Sequence, residues 1–273
     1  MDFLSSGFSR VDSSQNPGVF FSCLNTLSSL PYFQDYKEKS FKLLNPKNGS
    51  KILEIGCGLG QDASAVSQMV GEQGFVVAAD ASLKMVQAAC KCHVETEYVR
   101  FCLADACRLP FRDEVFDGAR ADRVLQHLSD PGKAIAETVR TIKDKGRLVA
   151  YEPDWETFII NSLSTGQEEI CRIMTRLFGA TFPCGLIGRR LPGLFREEGL
   201  EEIRIEGRTF FTEDLNIAIQ VFDLVNNAHR AERMGFVSGS QADGWLEGLM
   251  KADKQGRFFC SYTGFLVSGQ KPG

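Results

Sequence analysis

Long hydrophobic runs are missing from this chain of 273 residues. No stretch approaches the ~18 consecutive apolar residues that a membrane-spanning helix needs. The opening residues 1–7 have neither the basic start nor the apolar run of a secretory signal, so none is expected. Positive charge is not in excess either: 31 Lys and Arg face 35 Asp and Glu, a formal net charge of −4. That balance does not favour a polyanion such as nucleic acid as the main partner. The nine cysteines are an odd number without regular spacing, in a chain large enough to fold without staples. Cys90-Lys91-Cys92-His93 has the outline of a soft-metal site, yet residues two apart on a helix do not share a face. The expectation is a reduced, cytoplasmic protein with no metal, no membrane span and no nucleic-acid partner.

What is present is concentrated in one stretch. Leu53-Glu54-Ile55-Gly56-Cys57-Gly58-Leu59-Gly60 carries an apolar strand into three alternating glycines, and Asp80 follows twenty residues later. Glycine lets the backbone turn sharply and approach a ligand without Cβ atoms in the way. An acid at the end of the next strand can accept both hydroxyls of a ribose. The dinucleotide fingerprint G-x-G-x-x-G needs a third glycine where Gln61 stands, so a nicotinamide dinucleotide is disfavoured.

The rest of the chain alternates. Strands are expected at 51–55, 74–80, 99–104, 115–120 and 147–151, with helices at 61–70, 82–92 and 131–142 between them. Ser82 and Asp130 are suited to cap two of those helices, and Pro131 suits a first helical position. Strands separated by helices of about ten residues imply βαβ units and a doubly wound, mostly parallel α/β sheet. Residues 1–20 read as a loose arm, and 20–44 as one or two helices broken near Pro31. The organisation expected is an N-terminal arm with cap helices over 1–45 and a main domain over 46–273. Insertions at about 153–198 and 212–256 would form a helical substrate cap.

Glu54-Ile55-Gly56-Cys57-Gly58 resembles the E-x-G-x-G signature of class I S-adenosylmethionine-dependent methyltransferases. Asp80-Ala81-Ser82, Ala104-Asp105-Ala106, Leu109-Pro110-Phe111, Phe116-Asp117, Leu125-Gln126-His127-Leu128 and Gly146-Arg147-Leu148 extend the likeness over roughly residues 34–271. Within that superfamily the chain is similar to the small-molecule type, such as the ubiquinone/menaquinone C-methyltransferases. The resemblance implies S-adenosylmethionine as cofactor and a Rossmann-like fold. It implies that Gly56, Gly58 and Gln61 lie near the methionine arm and that Asp80 accepts the ribose hydroxyls. Ala81 and Met85 would flank the adenine, while Asp105 and the Ala106 N–H would bind its edge. Arg123 would lie beside the methionine carboxylate, a departure from the small residues often found there.

Four residues are candidates for proton transfer. His127 and His229 carry imidazoles, which titrate near neutrality when unperturbed. Glu152 and Asp154 follow the fifth strand, at the end of the sheet where acceptors lie. The 21 phenylalanines and the long cap favour an apolar or aromatic small-molecule acceptor, methylated on O, N or C by in-line displacement. The alternatives are an RNA or protein methyltransferase, which the acidic balance and the absence of an Asn-Pro-Pro-Tyr-like element after the fourth strand disfavour, and a cofactor-binding protein without transfer activity.

Overall fold

The computed structural model describes residues 7–161 and 165–273. Seven strands form one sheet in the order β3-β2-β1-β4-β5-β7-β6. They are β1 (Lys51–Ile55), β2 (Phe75–Asp80), β3 (Val99–Leu103), β4 (Phe116–Asp122), β5 (Ile142–Ile160), β6 (Glu201–Thr212) and β7 (Cys260–Gln270). The first five run parallel to one another, and β7 runs antiparallel to both β5 and β6. Ile52, Leu53 and Ile55 of β1 are all buried, as expected of a parallel strand covered on both faces.

Two helices precede the sheet, α1 (Gly18–Ser29) and α2 (Pro31–Leu44). Pro31 begins α2, where its missing N–H costs nothing, and Asn45 ends it in the left-handed conformation at φ 54°. The crossover helices are α3 (Gln61–Val70), α4 (Leu83–Cys92) and α5 (Pro131–Thr141). The Ser82 hydroxyl caps α4 by accepting from the Met85 N–H, and Asp130 caps α5 by accepting from Lys133.

One core face packs β1 and β2 against α2 and α3 and continues into the cap. The cap helices are α6 (Thr165–Gly179), α8 (Leu215–Phe222), α9 (Leu224–Arg233) and α10 (Gly239–Lys254). The two insertions lock together where Asn227 donates to the Met174 carbonyl at 2.8 Å. The opposite face packs α5 and α7 (Ile187–Glu197) through Ile135, Val139, Leu191 and Phe195.

Three features differ from the sequence expectation. The fifth strand does not end at Tyr151. Glu152, Pro153 and Asp154 continue it by pairing with Phe265, Gly264 and Thr263 of β7, a partner invisible to local pattern. Helix α7, expected in the cap, is core to the sheet because Ile187, Leu191 and Phe195 are fully covered. The N-terminal arm is not loose where it is described. Phe8–Ser13 forms a 3-10 helix, and Val11 is buried with Phe20, Leu59 and Met85. Asp12 fastens it by accepting from the Ser82 hydroxyl and the Leu83 and Lys84 N–H groups. Residues 1–6 of that expectation lie outside the described residues.

Beneath the glycine loop is a buried ion cluster. The Arg120 guanidinium reaches Glu54 at 2.5 Å, Asp62 at 3.0 Å and Asp122 at 3.2 Å, and its Nε donates to the Ser40 hydroxyl. Burial pushes Glu54 up to about 8, with Arg120 opposing. For Asp62 burial also acts upward, but Arg120 and Lys37 overcome it and hold the carboxyl below its usual range. Arg120→Met would leave Glu54 without its ion-pair partner and Asp62 and Asp122 with Lys37 alone beneath the loop, and removing one partner of a buried charge set costs about 3–5 kcal/mol. Urea unfolding should show a loss of that size; a change below about 1 kcal/mol, the range of exposed ion pairs, would refute it.

Candidate functional site

A cavity of about 270 Å³ opens where the C-terminal ends of β1 and β4 diverge, the switch point of a doubly wound sheet. Gly56 and Gly58 form its floor at φ 64° and 52°. A Cβ on Gly56 would stand 2.3 Å from a methyl of Val124, and one on Gly58 would stand 3.1 Å from Leu24. Glycine is required here for both conformation and space.

Asp80 ends β2 with its carboxylate already oriented. Oδ2 accepts from the Gly58 N–H and Oδ1 from the Ser82 N–H, both at 2.9 Å. Burial raises its pKa, with these backbone donors opposing. Ala81, Met85, Asp105 and Ala106 line the same end of the cavity. Asp105 is held by an Asx turn in which Oδ1 accepts from the Cys107 N–H. Phe8 and Ser9 of the arm close over this end.

The opposite wall begins at Arg123. It sits at φ 58° with its N–H donating to the Tyr151 carbonyl, and its guanidinium lies 5.0 Å above the Phe33 ring. Its buried Nε makes no hydrogen bond among the described residues. Asp122 also lines the cavity and is held by the Tyr36 hydroxyl at 2.9 Å and by Arg120. Sequence reasoning missed Asp122 as a site residue. The available signal was an acid closing the strand that borders β1 at the switch point. Gln61 does not line the main cavity. It hydrogen-bonds Asn25 and Ser28 of α1 and borders an adjoining cleft with Gly56, Gly58 and Arg123.

Of the four candidates for proton transfer, the structure brings only His127 to the cavity. Its ring lies between Phe8 and Phe182, and burial with the nearby Arg123 charge lowers it to about 3. It is therefore a neutral, weakly basic imidazole at neutral pH. Glu152 is fully covered, and its two oxygens accept from the N–H groups of Val124, Leu125 and Gln126 at 2.8, 2.6 and 3.3 Å. It anchors the loop that carries Arg123 and His127 and does not face the cavity. Asp154 is 1% exposed and held in a two-pronged pair by Arg189. His229 lies half-exposed on α9, 3.9 Å from Glu232 and away from the cavity. Sequence position placed these groups near the right end of the sheet, but their partners turn them elsewhere.

Glycine floor, oriented acid and switch-point cavity define an α/β protein built to hold a nucleoside-bearing cofactor. A family model described as a methyltransferase domain matches residues 53–150. The chain is 32% identical over 250 residues to an uncharacterized 37.1 kDa protein of transposon TN4556 in Streptomyces fradiae, covering 91% of this chain and 70% of that one. It is 25% identical over 217 residues to demethylmenaquinone methyltransferase of Bacillus cereus, covering 72% and 89%. The fold is similar to that of Haemonchus contortus phosphoethanolamine N-methyltransferase 2, solved with S-adenosylhomocysteine. There the TM-score is 0.59 and the identity 18%, over 98% of this chain and 61% of that one. The chain belongs to the class I S-adenosylmethionine-dependent methyltransferases and is an enzyme of that class. Its own residues fit the cofactor: the Cβ-free cradle, the oriented Asp80 and the Arg123 guanidinium, whose Nε makes no hydrogen bond and stands 3.5 Å from Asp122, supply space, diol acceptor and anion partner.

Two outcomes are expected. Asp80→Ala should weaken S-adenosylhomocysteine in calorimetry by at least about 3 kcal/mol, two bonds to a charged group at about 1.5–3 kcal/mol each. Unchanged affinity would remove Asp80 from the site. For His127, the folded pKa lies near 3 and the unfolded one at 6.5. Its contribution to stability is present above pH 6.5 and is lost as the pH falls toward 3. His127→Phe should flatten the acid-side loss of stability in that window, seen by thermal unfolding across pH; an unaltered profile would contradict a neutral buried imidazole.

Proposed function

We propose that the enzyme transfers the methyl group of S-adenosylmethionine to an apolar, aromatic small molecule held in the inner half of the cavity. The observation that carries this reading is the lining of that half. Phe33, Trp155, Phe178, Phe182 and Tyr262 face it. Trp155 and Phe182 stack at 5.1 Å and 17°. Phe178 meets Trp155 edge-on at 4.9 Å. Such rings hold a flat apolar body by face and edge contacts. Support also comes from the relative whose name gives demethylmenaquinone as its acceptor. The acidic balance of the chain supports a small molecule over nucleic acid.

In this reading Gly56, Gly58 and Arg123 hold the methionine arm, with Asp122 and Gln61 beside it. Asp80 takes the ribose diol, while Ala81, Met85, Asp105 and Ala106 enclose the adenine. When bound, S-adenosylmethionine supplies an electrophilic methyl on a sulfonium. The protein's task is then to align the acceptor atom with that methyl and to exclude water. Neutral His127, the tied Glu152 and the paired Asp154 offer no strong base at the aromatic half. The lining therefore favours an acceptor that is already nucleophilic. A helical cap over a fixed cofactor domain is where such a fold changes its substrate.

The test is methyl transfer from labelled S-adenosylmethionine to a panel of quinols, phenols and apolar amines. Phe182→Leu keeps apolar volume but removes the ring. It should raise the acceptor KM by about tenfold, the size of a modest interface anchor, while S-adenosylhomocysteine affinity stays the same. Label appearing instead in RNA or protein, or transfer to the panel that ignores Phe182, would overturn the reading.

A further inference from the structure

One side chain joins the two halves of the cavity by a hydrogen bond on each side. Gln126 is 4% exposed, and its amide spans the gap between the cofactor-side loop and the aromatic wall. Its Nε2 donates to the Arg123 carbonyl at 3.2 Å, and its Oε1 accepts from the Trp155 indole N–H at 2.8 Å. Its backbone N–H donates to Glu152, and its backbone carbonyl accepts from the Cys184 N–H, two residues beyond Phe182. The amide has one orientation only. Reversed, it would set a donor against the indole N–H and an acceptor against the Arg123 carbonyl.

Energetics make the bridge stiff. Breaking either bond leaves a buried polar atom unpaired. Arg123 keeps its left-handed backbone at φ 58°, which a non-glycine residue holds only where its surroundings over-determine it. Glu152 supplies that constraint from beneath the loop, and Gln126 supplies it from the cavity side. A displacement of the Arg123 peptide therefore moves the amide, and the amide moves the indole. Glu152 bonds only the loop, and Phe182 meets the loop only through ring contact with His127 at 5.4 Å.

We propose that Gln126 is a positioning residue that couples the cofactor loop at Arg123 to the aromatic wall at Trp155 and Phe182, so that filling the cofactor half sets the shape of the acceptor half. The role given to the wall rests on the acceptor reading above. The coupling itself is read without any acceptor.

The chain has two tryptophans, and Trp245 lies away from the cavity, bonded to the Cys171 sulfur. A Trp245→Phe protein thus reports Trp155 alone. Titration with S-adenosylhomocysteine, followed by heat and by indole emission together, should show the emission change tracking calorimetric saturation. With Gln126→Leu added, emission should start blue-shifted because the indole N–H has lost its acceptor. The ligand-linked change should disappear, while affinity falls by less than about tenfold, the equivalent of one net hydrogen bond. Gln126→Glu returns an acceptor to the indole but no donor to the Arg123 carbonyl. It should restore the starting emission and not the ligand-linked change, and it serves where the leucine variant fails to fold.

A full ligand-linked change in either Gln126 variant would overturn the coupling. So would calorimetric binding to the Trp245→Phe protein with no change in emission. Failure of every aromatic compound as methyl acceptor would sink the acceptor reading but would not alter these emission results, so the two failures are separable.

Discussion

Arg120 stands where four elements meet: Glu54 of β1, Asp62 of α3, Asp122 of β4 and Ser40 of α2 all converge on its guanidinium. A charge this deep is tolerated only when paired and fully hydrogen-bonded. The pairing therefore fixes the distance between β1 and β4 at the point where their ends part to make the cavity. Asp122 accepts from Arg120 at Oδ2 and most closely from the Tyr36 hydroxyl at Oδ1, which also stands 3.5 Å from Arg123 Nε. That leaves the next residue, Arg123, to turn outward over Phe33 into the cavity. The acid of the Glu54-Ile55-Gly56-Cys57-Gly58 motif is thus a structural partner beneath the cavity, and the motif couples a packing requirement to the cavity floor.

A second carboxylate performs the same kind of work one strand further along. Glu152 gathers three successive N–H groups of the loop after β4, which have no helix or sheet partner of their own. An acid that satisfies three buried donors has no oxygen left to direct at a substrate. The loop it holds presents Arg123 toward one half of the cavity and His127 toward the middle. The two buried acids, Glu54 and Glu152, hold in place the strand and the loop that border the cavity. Both burials push the carboxyl pKa up to about 8, and both are opposed by the bonds that keep the acids in place.

Much of this was legible in the sequence where the signal is local. The glycine spacing, Asp80, the caps at Ser82 and Asp130 and the alternation of strands and helices depend on neighbours a few residues apart. What was not legible depends on partners far along the chain. The continuation of β5 past Pro153 needs Phe265, Gly264 and Thr263 of β7. Asp12, in an arm that reads as loose, finds three donors more than sixty residues away at the start of α4. Glu152, Asp154 and His229 were candidates for proton transfer because side-chain chemistry can be read from sequence and side-chain direction cannot. Arg189 turns Asp154 away, and the loop after β4 captures Glu152.

The cavity changes character along its length. One end is built from backbone and short polar groups whose positions are set by hydrogen bonds: Gly56, Gly58, Asp80, Asp105. These tolerate little substitution, because each Cβ or missing acceptor disturbs a defined contact. Its other end is built from rings on β5, α2 and the cap, which pack by area and accept exchange of one apolar shape for another. Exchange at Phe178, Phe182 or the α8 residue Val221 leaves the hydrogen bonds of Gly58 and Asp80 untouched. The constraint is at the seam, where Gln126 satisfies one bond on each side and Trp155 is the only ring of the wall tied to it by a hydrogen bond among the described residues. Changes in the rings beyond Trp155 alter only packed apolar area, whereas a change at the seam breaks a hydrogen bond to one side or the other.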